Sequence, residues 1–194
     1  MYKRQSLPRA LTTEEVQRLE AHCAEAKRAP LRLLAMVRLA LDLGLRVGEI
    51  AKLEIGDFDW RAGTVTLKRT KSQRQDVLPL PVLTGQALAE YMRHERPATT
   101  LPSLFVRRLA PHDKPIGVDA VSQAIGRALR GAGISRGCHS LRHTLACRLV
   151  NSGSSIKEVA DVLRHRSLDT SLIYAKLDLQ LLAEVALPWP GSAS

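Results

Sequence analysis

Aromatic side chains make up only 4% of the 194 residues, which argues against a protein that holds single strands by stacking bases on rings. Cysteine is scarce too. Cys23, Cys138 and Cys147 are an odd count without a framework spacing, which points to a reducing compartment. Long apolar runs are missing: the most apolar stretch, Leu33 to Leu45, is short and broken by Arg38 and Asp42, which argues against a membrane span. The first ten residues, MYKRQSLPRA, carry charge but no apolar core behind it, unlike a secretory signal. There is no internal repeat and no low-complexity tract.

What remains is an ordinary globular composition, 45% hydrophobic and 25% charged, in a chain long enough to bury about 70% of its unfolded surface without disulfides or metal. The charge balance is uneven. Lys plus Arg number 29 and Asp plus Glu 19, a net charge of +10, which suits a polyanionic partner. The signs are segregated. Arg61, Lys68, Arg69, Lys71 and Arg74 meet no acid until Asp76, and the stretch from Arg127 to Arg148 holds five arginines and no acid. Such a face can displace counterions from a phosphate backbone. With so few aromatics, double-stranded DNA is the expected partner.

Thr12-Thr13-Glu14-Glu15 predicts a capped helix running to about Ala29, before Pro30. Leu31 to Leu43 is apolar on most sides and reads as a buried helix stopped by Gly44. A short helix is expected over Val47 to Leu53, with Arg46 at its mouth. Thr64 to Leu67 and Asp76 to Leu80 alternate like strands, with a basic hairpin from Lys68 to Arg74 between them. Helices follow over Val82 to Arg96, Val118 to Arg130, Leu141 to Val150, Ser155 to Leu163 and Asp169 to Leu177. The expected class is mainly α with one small antiparallel β-sheet (α+β).

Several polar residues share a chemistry. His139 and Arg142 are three apart, so they share a face near a helix N-terminus that itself favours anions. Arg46 sits at another helix mouth, and His165 lies nine residues before Tyr174. Two arginines can fork onto the non-bridging oxygens of a phosphodiester and stabilise the charge gathering at phosphorus. A phenol with a pKa of about 10 needs such cations, and a histidine to take its proton, before it can attack. A lysine suits protonation of a departing 5′ oxygen. No acidic cluster is placed to hold Mg²⁺, which favours chemistry without metal or other cofactor. Taken singly, each of these residues has an ordinary structural explanation. Cys138, His139, His143 and Cys147 can also be drawn as a zinc site, but Cys138 falls on a different helix face from the histidines.

Together the residues resemble the tyrosine recombinase (phage integrase) family, over nearly the whole chain. Leu45-Arg46-Val-Gly-Glu49-Ile is similar to its first arginine box, His139-Ser-Leu-Arg142-His143 to its His-x-x-Arg box, and Val162-Leu-Arg-His165 with Tyr174-Ala-Lys-Leu-Asp to its final box. Lys68-Arg-Thr-Lys71-Ser-Gln-Arg-Gln-Asp-Val-Leu-Pro-Leu is similar to its lysine-bearing β-hairpin. The resemblance implies a DNA breaking-rejoining catalytic domain in which Tyr174 forms a 3′-phosphotyrosyl bond without ATP. It implies that Arg46 and Arg142 clamp the phosphate, that His139 is general base and acid, that His165 bonds a non-bridging oxygen, and that Lys71 protonates the leaving oxygen. Glu49 supports the site, and Lys68, Arg69, Arg74, Arg136 and Arg164 contact DNA. It further implies strand exchange through a Holliday junction in a homotetramer on synapsed DNA, in the cytoplasm or on a prokaryotic nucleoid.

The chain departs from the family at two boxes. Arg164 stands where glycine usually precedes the second histidine, which bears on the local turn, and Cys138 stands where proline is common before His139. The expected organisation is a single catalytic domain, 1–194, with a core over about 10–176, a tail over 177–194 able to dock on a neighbouring subunit or fold back, and no N-terminal core-binding domain. A type IB topoisomerase-like relaxing activity and a non-catalytic basic DNA-binding regulator are the rival readings. The complete residue set argues against the regulator, which has no use for Tyr174.

Overall fold

The computed structural model describes residues 10–68, 75–107 and 114–164. The chain divides into two compact units, one over 9–145 and the other formed by 1–8 with 146–194. In the larger unit, α1 (Thr13–Ala24) starts on a reciprocal cap: Thr12 accepts from the Glu15 backbone, and Glu15 accepts from the Thr12 N–H at 2.9 Å. It stops five residues short of the sequence expectation, because the chain must turn before Pro30. Ala29 takes a left-handed φ of 52° as N-cap, and Pro30 opens α2 (Pro30–Asp42).

α2 is the central element. Ala35, Met36, Val37, Leu39 and Leu41 are fully buried, in line with a helix apolar on most sides. It packs on α1, on α4 (Val82–His94) and on α5 (Val118–Gly131). Tyr91 of α4 is buried against Phe105, ring centroids 5.1 Å apart, and its hydroxyl donates to the Leu104 carbonyl. Gly44 ends α2 at a φ of 60°, a conformation glycine reaches without steric cost. Between these helices lie α3 (Val47–Ile50), a 3-10 turn (Ile55–Asp57) and a three-stranded antiparallel sheet. The sheet is ordered β1 (Phe58–Asp59), β2 (Thr64–Lys68), β3 (Gln75–Pro79). Its register pairs Val65 with Leu78 and Lys68 with Gln75.

α6 (His139–Asn151) begins two residues earlier than expected, so His139 is its first residue. α7 (Ile156–Val162) starts on a capping box formed by Ser155 and Glu158. The helix expected over Asp169 to Leu177, the hairpin residues 69–74 and the tail lie outside the described residues. Among the described residues, no helix is long and apolar enough to cross a membrane.

Candidate functional site

Three of the six expected catalytic residues, Arg46, His139 and Arg142, lie among the described residues of the larger unit. Arg46 is the N-cap of α3 and carries an extended backbone. Its backbone N–H donates to Glu49 Oε2 at 2.8 Å, and its Nη1 lies 3.1 Å from Glu49 Oε1. One carboxylate therefore both caps the helix and aims the guanidinium. The two side chains are 42% and 31% exposed. A pair this open contributes little stability, about 0–1 kcal/mol, so orientation is its main effect.

Arg142 approaches from 98 positions away in sequence. It sits in the first turn of α6 and is buried, and its Nη1 donates to the carbonyl of Gly44. Gly44 lies two residues before Arg46, so this contact brings the second arginine onto the loop that presents the first. The left-handed turn at Gly44 thus does two jobs: it ends α2 and turns a carbonyl toward Arg142.

The start of α6 is braced. Ser140 bonds the Gly137 carbonyl through both its N–H and its hydroxyl, at 2.9 and 2.8 Å. Thr144 donates to Ser140 O and accepts from the Leu11 N–H, both at 2.8 Å. The Cys138 thiol points at the Ser122 carbonyl of α5, 3.3 Å away. His139 is exposed at the end of this braced turn, one helical turn before His143. Burial holds the His143 imidazole below its ordinary pKa, with the charges of His139 and Arg142 acting in the same direction.

The remaining expected residues fall differently. Lys68 forms ion pairs with Asp57 Oδ1 at 2.9 Å and Glu54 Oε2 at 3.0 Å. Arg136 donates to the Ala10 carbonyl at 2.7 Å and pairs with Glu15 at 2.9 Å, tying the chain before α1 to the chain before α6. In the smaller unit, Arg164 follows α7 with a φ of 53°, and its buried side chain donates to Val162 O at 3.0 Å. The glycine usual at that position thus has a backbone reason, since a left-handed φ costs other residues about 1–2 kcal/mol. Lys71, Arg69, Arg74, His165 and Tyr174 lie outside the described residues. Among the described residues, no group of three or more His, Cys, Asp or Glu is arranged to hold a metal. The Gly44 carbonyl and the braces at Ser140 and Thr144 are what sequence reasoning missed. Gly44 carried a signal only as a helix stop.

A cavity of about 1210 Å³ opens elsewhere, lined by Arg28, Arg32, Leu33, Met36, Ala124 and Arg127 among others. Its α2 residues belong to the first half of that helix, whereas Gly44 and Arg46 follow its last residue. A duplex backbone is met by an open cationic surface rather than a cavity, so the arginine face is the better candidate.

The model of the phage integrase family matches residues 9–180. A protein of Sinorhizobium fredii whose name describes an integrase/recombinase is 38% identical over 191 residues, 97% of this chain and 46% of its own length. Tyrosine recombinase XerA of Pyrococcus furiosus is 30% identical over 179 residues, 92% of this chain and 61% of its own. The chain thus spans roughly half of these relatives' length. Among solved structures, the XerH site-specific recombinase bound to palindromic difH substrate, in a post-cleavage complex, superposes with a TM-score of 0.78. It is 25% identical, and the match covers 95% of this chain and 54% of that one.

Proposed function

The chain belongs to the phage integrase family, and on that premise we propose that it breaks and rejoins duplex DNA at specific sites through a covalent 3′-phosphotyrosyl intermediate. In this reading the Tyr174 oxygen attacks phosphorus while His139 takes its proton. Arg46 and Arg142 hold the non-bridging oxygens, joined by His165. As the bond to the 5′ oxygen breaks, Lys71 supplies that oxygen's proton. One phosphoester replaces another, so no ATP is consumed, and with arginines carrying the transition-state charge no metal is required. Strand exchange then needs synapsed DNA and a homotetramer, in which residues 177–194 serve as a subunit-docking tail. Arg69 and Arg74 are the cations assigned to the DNA backbone.

The single observation that carries the proposal is the convergence of Arg142 on the Gly44 carbonyl beside Arg46. It brings Arg142 from a distant part of the chain to the loop that carries Arg46, which supports reading the two as one phosphate clamp. A nicked suicide duplex tests it. The protein should become trapped on DNA as an adduct stable to SDS, and Tyr174→Phe should lose the adduct yet keep non-covalent binding. Absence of an adduct with the parental protein on its own target DNA would reject the enzyme reading and favour a DNA-binding regulator.

A further inference from the structure

Lys68 is the last residue of β2 and pairs across the sheet with Gln75, the first residue of β3. This pair closes the root of segment 69–74, and Lys71 is only three residues further along. The Lys68 ammonium does not stand free over that root. It meets two carboxylates at hydrogen-bond distance, Asp57 Oδ1 at 2.9 Å and Glu54 Oε2 at 3.0 Å.

Those carboxylates belong to a braced turn. Asp57 is buried, and its Oδ2 accepts the Glu54 N–H at 2.8 Å. The turn is tied to the chain beyond α4 by Ile55 N–H to Pro102 O and by Leu104 N–H to Leu53 O, both 2.8 Å. The close contact with the Asp57 carboxylate, followed by the hydrogen bond to Glu54, holds the Lys68 ammonium above its ordinary pKa. With its charge matched by two carboxylates, the Lys68 ammonium has less to gain from a DNA phosphate.

We infer that Lys68 is a positioning residue for strand cleavage: its ion pairs with Asp57 and Glu54 fix the end of β2 from which the chain leaves toward Lys71. Lys68 therefore acts on the departure of the 5′ oxygen through Lys71, not on DNA affinity. The inference rests on the reading of Lys71 as the acid for that oxygen.

The experiment compares Lys68→Met, Lys68→Arg, Glu54→Gln and Lys71→Met in the full chain. Each cleaves two suicide duplexes, one with the ordinary bridging 5′ oxygen and one with sulfur in its place. A thiolate, with a pKa near that of cysteine at about 8.5, departs without a proton, so sulfur relieves a defect in proton delivery and no other. Lys68→Met should cleave the oxygen substrate roughly 10- to 100-fold more slowly and the sulfur substrate at nearly the parental rate. Lys68→Arg should retain most of the rate, because it keeps a cation on the two carboxylates. Glu54→Gln should show the Lys68→Met pattern in weaker form, and thermal unfolding should show all four proteins folded.

DNA affinity and its salt dependence should not change in Lys68→Met. A drop of about one in the salt slope would make Lys68 a phosphate contact and overturn the inference. So would equal slowing on oxygen and sulfur. If sulfur rescues Lys71→Met but not Lys68→Met, the positioning role alone falls. If it rescues neither, the role of Lys71 falls as well.

Discussion

The guanidinium of Arg142 donates to the carbonyl of Gly44, so the position of one arginine of the proposed phosphate clamp is set by the backbone that leads to the other. Gly44, with a φ of 60°, is the turn residue that carries this carbonyl. The turn that ends α2 is therefore also the anchor of Arg142.

Gly44→Ala should be costly twice over. A left-handed alanine loses about 1–2 kcal/mol, and relaxation of the turn would move the carbonyl away from Arg142. The variant should unfold at lower denaturant, measured by far-UV circular dichroism, and should also cleave a suicide duplex more slowly. A cleavage rate equal to the parent's in the folded protein would show that the turn does not orient the clamp.

Arg142→Ala removes the buried guanidinium that the proposed mechanism assigns to the transition-state charge. Cleavage should slow by about 10²-fold or more, with a much smaller change in non-covalent DNA affinity. Single-turnover rates against Kd at one salt concentration separate the two. A parental cleavage rate would refute the phosphate clamp.

Stability should fall in mild acid. The native pKa of His143 lies below its ordinary value of 6.5, chiefly through burial. Between the native and unfolded values the unfolded chain binds more protons, so stability rises with pH there. The His143 contribution is complete above about 6.5 and is lost as pH falls through the native pKa. Denaturation midpoints should therefore decline below about pH 6.5, and His143→Gln should flatten that decline. Glu14 and Glu158, both held below their ordinary value of 4.5 by hydrogen bonds, act only in a lower window.

The three thiols should react at different rates. Burial pushes Cys23 up to about 12 and also raises Cys147, and both side chains are buried, whereas Cys138 is half-buried at the start of α6. A disulfide reagent at about pH 8 needs an accessible thiolate. It should modify Cys138 first and reach Cys23 only on unfolding, as peptide mapping would show.

Much of this protein was legible in one dimension. The Thr12-Thr13-Glu14-Glu15 run and the Ser155-to-Glu158 run are local helix-start patterns, and α1 and α7 begin there on capping boxes. The near-continuous apolar surface of 30–42 is satisfied only by burial, and that helix is the centre of the larger unit. The arginine boxes and the His139–Arg142 spacing depend on neighbours three or four residues apart, which helical geometry decides without reference to the rest of the chain. The end of α1 was not legible, because it depends on how Ala29 turns into Pro30.

Other features depend on contacts between distant segments. Whether a cation is open to a phosphate or matched by a carboxylate is set by what packs beside it. Lys68 meets Asp57 and Glu54, and Arg136 meets Glu15 across 121 positions. Arg164 is buried at a backbone angle suited to glycine. The amino-acid order alone determined the helices, their caps, the cationic bias and the kinds of side chain available for phosphate chemistry, since all of these follow from local spacing and composition. Only the tertiary structure decided that the carbonyl of Gly44 receives Arg142 and which surface charges are already paired, because such contacts exist only once packing brings distant segments within hydrogen-bond reach.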